Sequence, residues 1–453
     1  MADHTDEINQ YLSRLFPICR SITGEGNRQT LQILSEIAPI IQHEVPSGKQ
    51  VYDWMIPDEW NIRDAWIATA GGRHLVDFQE NNVHIMSYSE PVKTSMEWSE
   101  LQLHLHTHSE LPEGIPYRTT YYKRNWGFCI TRSQYDDLEK LKGPFTIVID
   151  SELKPGSLTY GECLLPGLSP QEILISCYIC HPSMANDSLS GMLLTAFLAN
   201  HLNKMEGRQW SYRVVFVPET IGAIAYCSNN EKAMKQIDMG FVITTVGGPG
   251  KIGYKQSWQK DHVINKMIEE VLSEAEQDFI TYPFDIHGSD ERQYSSQGFR
   301  INVATICKDK YYEYPFYHTS LDDLSFVKAE HINSTLMLYL QLIKKLERHS
   351  GFGNTPFSQE FELEGKENQS PVYRNLYPNC EVMLSKHGLY PDTGGRMLPG
   401  KDPREELDVI LWLLFYCDGF KSLKDIAVEL EVDESSIFPV VQRLVQKGIL
   451  VNV

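Results

Sequence analysis

Three things are missing from this 453-residue chain. There is no surplus of positive charge: 41 Lys and Arg stand against 60 Asp and Glu, a formal net charge of −19. A broad nucleic-acid or anionic-membrane footprint neutralises phosphates with clustered cations, so neither partner is expected. No run of about 18 apolar residues occurs, which argues against a membrane-spanning helix. Met1–Gln10 is polar and acidic, without the basic and apolar stretches of a signal peptide, so a cytoplasmic location is expected. Cysteine is sparse: nine residues scattered from Cys19 to Cys417, an odd set that fits reduced thiols better than a disulfide framework. What is present is apolar material, 42% of the residues, ample for packed cores in about three domains.

Periodicity divides the chain. Ile8, Tyr11, Leu12 and Leu15 fall at helical spacing behind Thr5, and Leu31, Leu34 and Ile37 mark a second helix ending near Pro39. From about Pro46, short β-type runs (His74–Phe78, Val83–Tyr88, Leu101–His108) alternate with Pro, Gly, Asn and Asp clusters and predict a β-rich unit over 46–140. Apolar strands at Glu172–Cys180, Ser211–Val217, Gly240–Val246 and Asn302–Ile306 then alternate with helices. That alternation predicts an α/β domain, a mainly parallel sheet flanked by helices, formed by 1–45 and 141–350. Residues 351–400 read as a loop-rich connection. Residues 401–453 read as a winged helix: an apolar helix Glu406–Tyr416, a short helix capped by Ser422, another capped by Ser435 or Ser436 and closed at Gly448, then a terminal strand. Its 405–453 stretch holds four basic and nine acidic groups, net −5, where a DNA reader is normally positive. Packing or homo-oligomerisation is the expected role.

Chemistry concentrates where strands end. The buried strand before His181 delivers that imidazole to its C-terminal end, and Asp187 follows at the start of the next helix; ligand sites of open α/β sheets lie at this edge. A His and an Asp there suit a shared zinc or related ion, although both types also cap helices. Glu219 ends the next strand. The clusters Gly288–Tyr294 and Tyr317–Leu324, the latter with His318, follow further strands, and all four connections converge if they leave the same sheet edge.

The blocks His-Pro-Ser-Met-Ala-Asn-Asp-Ser-Leu-Ser-Gly (181–191), Pro-Glu-Thr-Ile-Gly (218–222), Gly-Ser-Asp-Glu-Arg-Gln-Tyr (288–294) and Glu-Tyr-Pro-Phe-Tyr-His-Thr-Ser-Leu-Asp-Asp-Leu (313–324) together resemble a bacterial aminopeptidase-like family with a C-terminal winged helix. That family is often associated with polysaccharide or secondary-metabolite gene sets. Cys19–Gly26, the β-rich insert and the acidic tail also look like it, so the resemblance spans nearly the whole chain. The family is in turn distantly similar to two-zinc exopeptidases. The resemblance implies His181 as ligand to one metal, Asp187 as a bridging carboxylate and His318 as ligand at the second position. Glu219 aligns with the general base and Thr220 with a ligand, although a small local shift puts Glu219 on the metal instead. Gly248 stands where relatives place an Asp ligand. Zinc takes three protein ligands and an open position in catalytic sites. One such site, His181, Asp187 and His318 with Glu219 beside it, is therefore expected, holding one ion.

The implied activity is a metal-dependent hydrolase acting on an amide of a small peptide or amino-acid conjugate. The alternative is a repurposed member that binds or transforms a biosynthetic intermediate. Arg292, Tyr254 and Tyr317 are candidate substrate contacts, although Arg292 can pair with Asp290 or Glu291 and tyrosines often only pack. His104, His106 and His108 alternate as a strand-face metal site requires, but an ordinary strand face is the simpler reading. Cys177-Tyr-Ile-Cys180 lies within a strand and not at a helix start, so redox chemistry is not expected. Gly247–Gly250 lacks the Lys-Ser/Thr of a phosphate loop.

Overall fold

Strong helical periods become helices in the computed structural model, which describes residues 3–349, 370–389 and 406–453. Thr5–Leu15 and Glu25–Leu34 open the chain, burying Ile8, Leu12, Leu15, Leu31 and Leu34. The central sheet has eight strands in the order Ile41–Pro46, Ser157–Leu165, Ser211–Val217, Glu172–Tyr178, Met239–Val242, Asn302–Lys308, Ile252–Lys255, Phe279–Tyr282. The four middle strands are mutually parallel and the flanking pairs are antiparallel, apart from the parallel outermost pair.

Parallel neighbours need crossovers, and the helices Gly191–Lys204 and Ile221–Asn229 supply them. Along Glu172–Tyr178, Ile173, Ile175 and Cys177 enter one core while Leu174 enters the other, which is why this strand reads as an unbroken apolar run. Each fully buried Leu or Ile contributes about 1.5–3 kcal/mol. Helix Gly191–Lys204 lies so close to the sheet that a Cβ at Gly191 would overlap the Ile243 carbonyl. The long helix Ala329–Glu347 completes this layer through Leu336, Leu342 and Ile343.

The inserted unit is larger than its sequence boundary at residue 140. Strand Phe145–Lys154 pairs along Glu59–Thr69, inside an antiparallel sheet ordered His74–Asp77, Glu59–Thr69, Phe145–Lys154, Val92–Met96. Two β-type runs also differ. Asn82–His84 is a helical turn capped by Asn81, and Leu101–His108 breaks into the end of helix Trp98–Leu101, a turn at Gln102–His104 and the short strand Leu105–His106. His104 stacks on Trp126 and His108 accepts the Glu110 and Leu111 amides, so the three histidines form no common ligand face.

The winged helix begins earlier than residue 401. Strand Val372–Asn375 is the middle of its three-stranded sheet, between Asp418–Ser422 and Leu450–Asn452. The rest of the 351–400 connection lies outside the described residues, except for 370–389. Ser422 caps helix Leu423–Glu429 in a reciprocal box with Asp425, whereas Asp433, not Ser435 or Ser436, precedes helix Glu434–Gln446. The module packs on the α/β body: Gln297 donates to the Leu414 and Phe415 carbonyls, and His287 Nε2 meets Asp408 Oδ1 at 2.6 Å. All nine cysteines are free thiols. Among the described residues no helix is long and apolar enough to cross a membrane.

Candidate metal centre

The parallel register brings the chemistry together. Val217, Tyr178 and Val242 end neighbouring parallel strands, and Lys308 ends the next, so Glu219, His181, Thr244 and the loop carrying His318 all leave the same edge. His181 Nε2 lies 3.9 Å from Asp187 Oδ2 and 3.7 Å from Glu219 Oε2, and His318 Nε2 lies 3.1 Å from Asp187 Oδ2. His181, Asp187 and His318 are within ligating distance of one another, as are Cys180, His181 and Glu219.

Their environment suits a cation. Asp187 Oδ2 and both ring nitrogens of His318 are buried without a hydrogen-bond partner. Such unsatisfied atoms are rare and costly, about 1–3 kcal/mol each, and one metal ion bound by Asp187 Oδ2 and His318 Nε2, which lie 3.1 Å apart, would satisfy those two. Burial pulls the His181 imidazole below its ordinary value against the opposing pull of Asp187 and Glu219, leaving it neutral as a ligand must be. Burial alone would raise the Asp187 carboxyl, but His181, His318 and Tyr178 outweigh it and hold it ionised. The residues present therefore fit a divalent ion.

Glu219 differs from Asp187. Burial, reinforced by Asp187, raises its proton affinity against His181 and Arg292. Buried Asp290 is pushed well up, first by desolvation and then by Glu219. Asp290 accepts the Thr220 amide at 2.7 Å, and the Thr220 hydroxyl faces Arg292 Nη2 at 3.3 Å. Thr220 and His318 both adopt positive φ, 62° and 55°, strained for side chains of their kind and typical of functional turns.

Other expectations resolve unevenly. Arg292 pairs with Glu381 at 3.1 Å. Tyr317 stacks on His318, with centroids 3.9 Å apart, beside the cluster. Tyr254 is elsewhere: fully buried, donating its hydroxyl to Asn265, it is a packing residue and not a substrate contact. A side chain at Gly248 would overlap the Asp309 carboxylate, so that position is filled by a neighbour. Cys177 and Cys180 are buried thiols raised by desolvation.

Several supporting residues were given no role of their own by the sequence, although Arg20 and Asp322 lie within blocks that carried the resemblance. Buried Arg20, within the Cys19–Gly26 block, donates from Nε to the His181 carbonyl at 2.8 Å and from Nη1 to Leu15. Asp322 accepts the Asn186 and Asp187 amides at 2.7 and 2.9 Å, fixing the Asp187 backbone. The inserted unit reaches in as well. Tyr117 donates its amide to the His318 carbonyl, Ile115 pairs with Ser320, and the Tyr117 ring lies 5.3 Å from both the His181 and His318 rings.

Comparison with known proteins agrees with this architecture. Residues 9–349 match a domain of unknown function (DUF4910), and 371–452 match a winged helix-turn-helix. A Clostridium acetobutylicum protein, provisionally named a polysaccharide biosynthesis protein with an aminopeptidase-like domain, is 41% identical over 93% of this chain and 90% of its own. A crystal structure from the same organism, provisionally named a peptidase, is 38% identical with TM-score 0.74, covering 99% of this chain and 96% of that one. The zinc aminopeptidase BSAP of Bacillus subtilis shares the fold at 13% identity and TM-score 0.55, over 76% of this chain and 94% of that one.

Proposed function

This chain belongs to the aminopeptidase-like family with a C-terminal winged helix, and on that premise we propose that it is a zinc-dependent amide hydrolase acting on a small peptide or amino-acid conjugate. The observation that carries the reading is that Asp187 Oδ2 and His318 Nε2 are buried 3.1 Å apart without a hydrogen bond, beside a neutral His181 that has Glu219 3.7 Å away. These residues hold one zinc ion, which when bound supplies Lewis acidity and an acidified water.

Glu219 does the proton work. Its raised proton affinity suits a base that takes a proton at its carboxylate and returns it to the leaving amine. Asp290 and Arg292 hold the turn that presents it, through the Thr220 amide and hydroxyl. Tyr317 stacks on the His318 ring and Tyr117 meets it edge-on, so the two rings hold that imidazole in place. The acidic winged helix is a packing or oligomerisation module in this reading, and Trp412 and Phe415 seat it on Trp258 and Phe284.

Thr220 and Gly248 favour a second reading, since neither offers a carboxylate where two-zinc relatives have ligands. In it the same pocket binds or transforms a biosynthetic intermediate, a role in line with the name of the Clostridium relative. Zinc-loaded protein is to be assayed against a panel of aminoacyl amides and dipeptides, with Glu219→Gln as control. Turnover that disappears in Glu219→Gln with zinc retained supports hydrolysis. Zinc retention with no turnover of any amide favours the second reading, and loss of zinc from Glu219→Gln makes Glu219 a ligand.

A further inference from the structure

The two oxygens of Asp187 are not equivalent. Oδ2 is the orphan that faces His318 and His181. Oδ1 accepts a hydrogen bond from the Tyr178 hydroxyl, whose oxygen also lies 2.6 Å from Thr244 Oγ1. Tyr178 ends the strand Glu172–Tyr178 and is buried, and Thr244 follows the neighbouring parallel strand Met239–Val242 and is buried too. The Asp187 carboxylate and the Thr244 hydroxyl thus converge on one phenol oxygen.

A carboxylate that bridges two ions offers one oxygen to each. Zinc takes oxygen ligands at about 2.0–2.2 Å, so an ion bound to Oδ1 and the phenol oxygen compete for the same space between Asp187 and Thr244. The remaining grouping, Cys180 with His181 and Glu219, is no independent second centre. It shares His181, whose Nε2 faces both Glu219 and Asp187, and an imidazole nitrogen has one lone pair. The Nδ1 side of that ring meets Cys180 Sγ at 3.8 Å, and the same sulfur accepts the Glu219 amide at 3.2 Å.

We propose that the Tyr178 hydroxyl, anchored by Thr244, stands in the position of a second metal ion. Asp187 is therefore a terminal ligand through Oδ2, and the centre is built for one ion. This inference rests on the metal-centre reading above and deepens it by naming the group that excludes the second ion.

The test strips the full-length protein with chelator and titrates it with Zn²⁺ and, separately, Co²⁺. Ions per chain are counted by elemental analysis, and spin coupling is read by electron paramagnetic resonance. Wild type is expected to saturate at one ion per chain with a magnetically isolated Co²⁺. Tyr178→Phe removes only the hydroxyl and is expected to admit a second, weaker ion. Adding Thr244→Asp to it, which supplies a carboxylate, is expected to tighten that second ion by about ten-fold or more and to couple the two spins. Two ions in the wild type overturn the proposal, as does a single ion in Tyr178→Phe, which carries the test even if the double variant does not fold. No ion in the wild type overturns the metal-centre reading itself and this proposal with it.

Discussion

Two charged clusters are buried at the active edge of the sheet, and they differ in one respect. In the first, Lys255 and Glu291, each 2% exposed, pair at 2.6 Å. Lys255 also donates to Tyr311 and to the His287 carbonyl, while Glu291 accepts Tyr311 and the Ser289 amide. In the second, His181, Asp187 and His318 are also buried, yet Asp187 Oδ2 and His318 Nε2 make no hydrogen bond and meet only each other, at 3.1 Å, with His181 3.9 Å away. Burial and charge are common to both; satisfaction is not. A satisfied cluster is scaffold, here locking the turn that carries Asp290 and Arg292, whereas convergent orphans mark a place for a ligand.

That contrast can be broken experimentally. The largest effect is expected in His181→Ala and His318→Ala, which should lose stoichiometric zinc by equilibrium dialysis while the apo-protein melts near wild type. Unchanged zinc affinity would erase the distinction between the clusters. Next, Glu219→Gln should lower kcat by about 10²–10⁴ with zinc still bound, read by steady-state kinetics beside metal analysis. Glu291→Gln strands the Lys255 ammonium and should cost about 3–5 kcal/mol in urea unfolding while leaving zinc affinity within a few-fold. The opposite pattern, intact stability and lost zinc, would make this cluster functional.

A partly buried pair between helix Glu25–Leu34 and the insert, Arg28 and Glu59, sets the lower end of the scale. Hydrogen bonds from Arg28 outweigh burial and hold Glu59 at about 2. A depressed folded value means that its contribution is complete above the ordinary glutamate range and is lost as pH falls towards 2. Glu59→Gln should therefore cost about 1 kcal/mol at neutral pH, after solvent screening, and nothing at pH 2. An equal loss at both pH values would show that the pair acts by packing.

Local patterns reached some of this and not the rest. His181, Asp187, Glu219 and His318 were legible because apolar strands announce their own ends, and parallel crossovers place those ends on one edge. Tyr254 was not, because a strand's alternation does not say which face meets the site; its hydroxyl turns to Asn265 in the core under helix Val263–Glu274. Tyr117 and Glu381 come from distant segments, one joined by backbone pairing and the other following strand Val372–Asn375 of the winged helix, contacts with no local period. The insert's boundary failed at residue 140 for the same reason, since Phe145–Lys154 belongs with Glu59–Thr69 across some 75 residues of chain.

The sequence by itself determined the acidic character, the α/β alternation, the winged tail and which side chains are offered at the strand ends, because composition and periodicity are properties of short stretches. Only the tertiary structure decided which offered groups are satisfied. Glu291 finds Lys255, Arg292 finds Glu381, and Asp187 gives one oxygen to Tyr178 and turns the other towards His318 and His181. Partnership is a matter of three-dimensional distance and desolvation, and neither is written in any single segment.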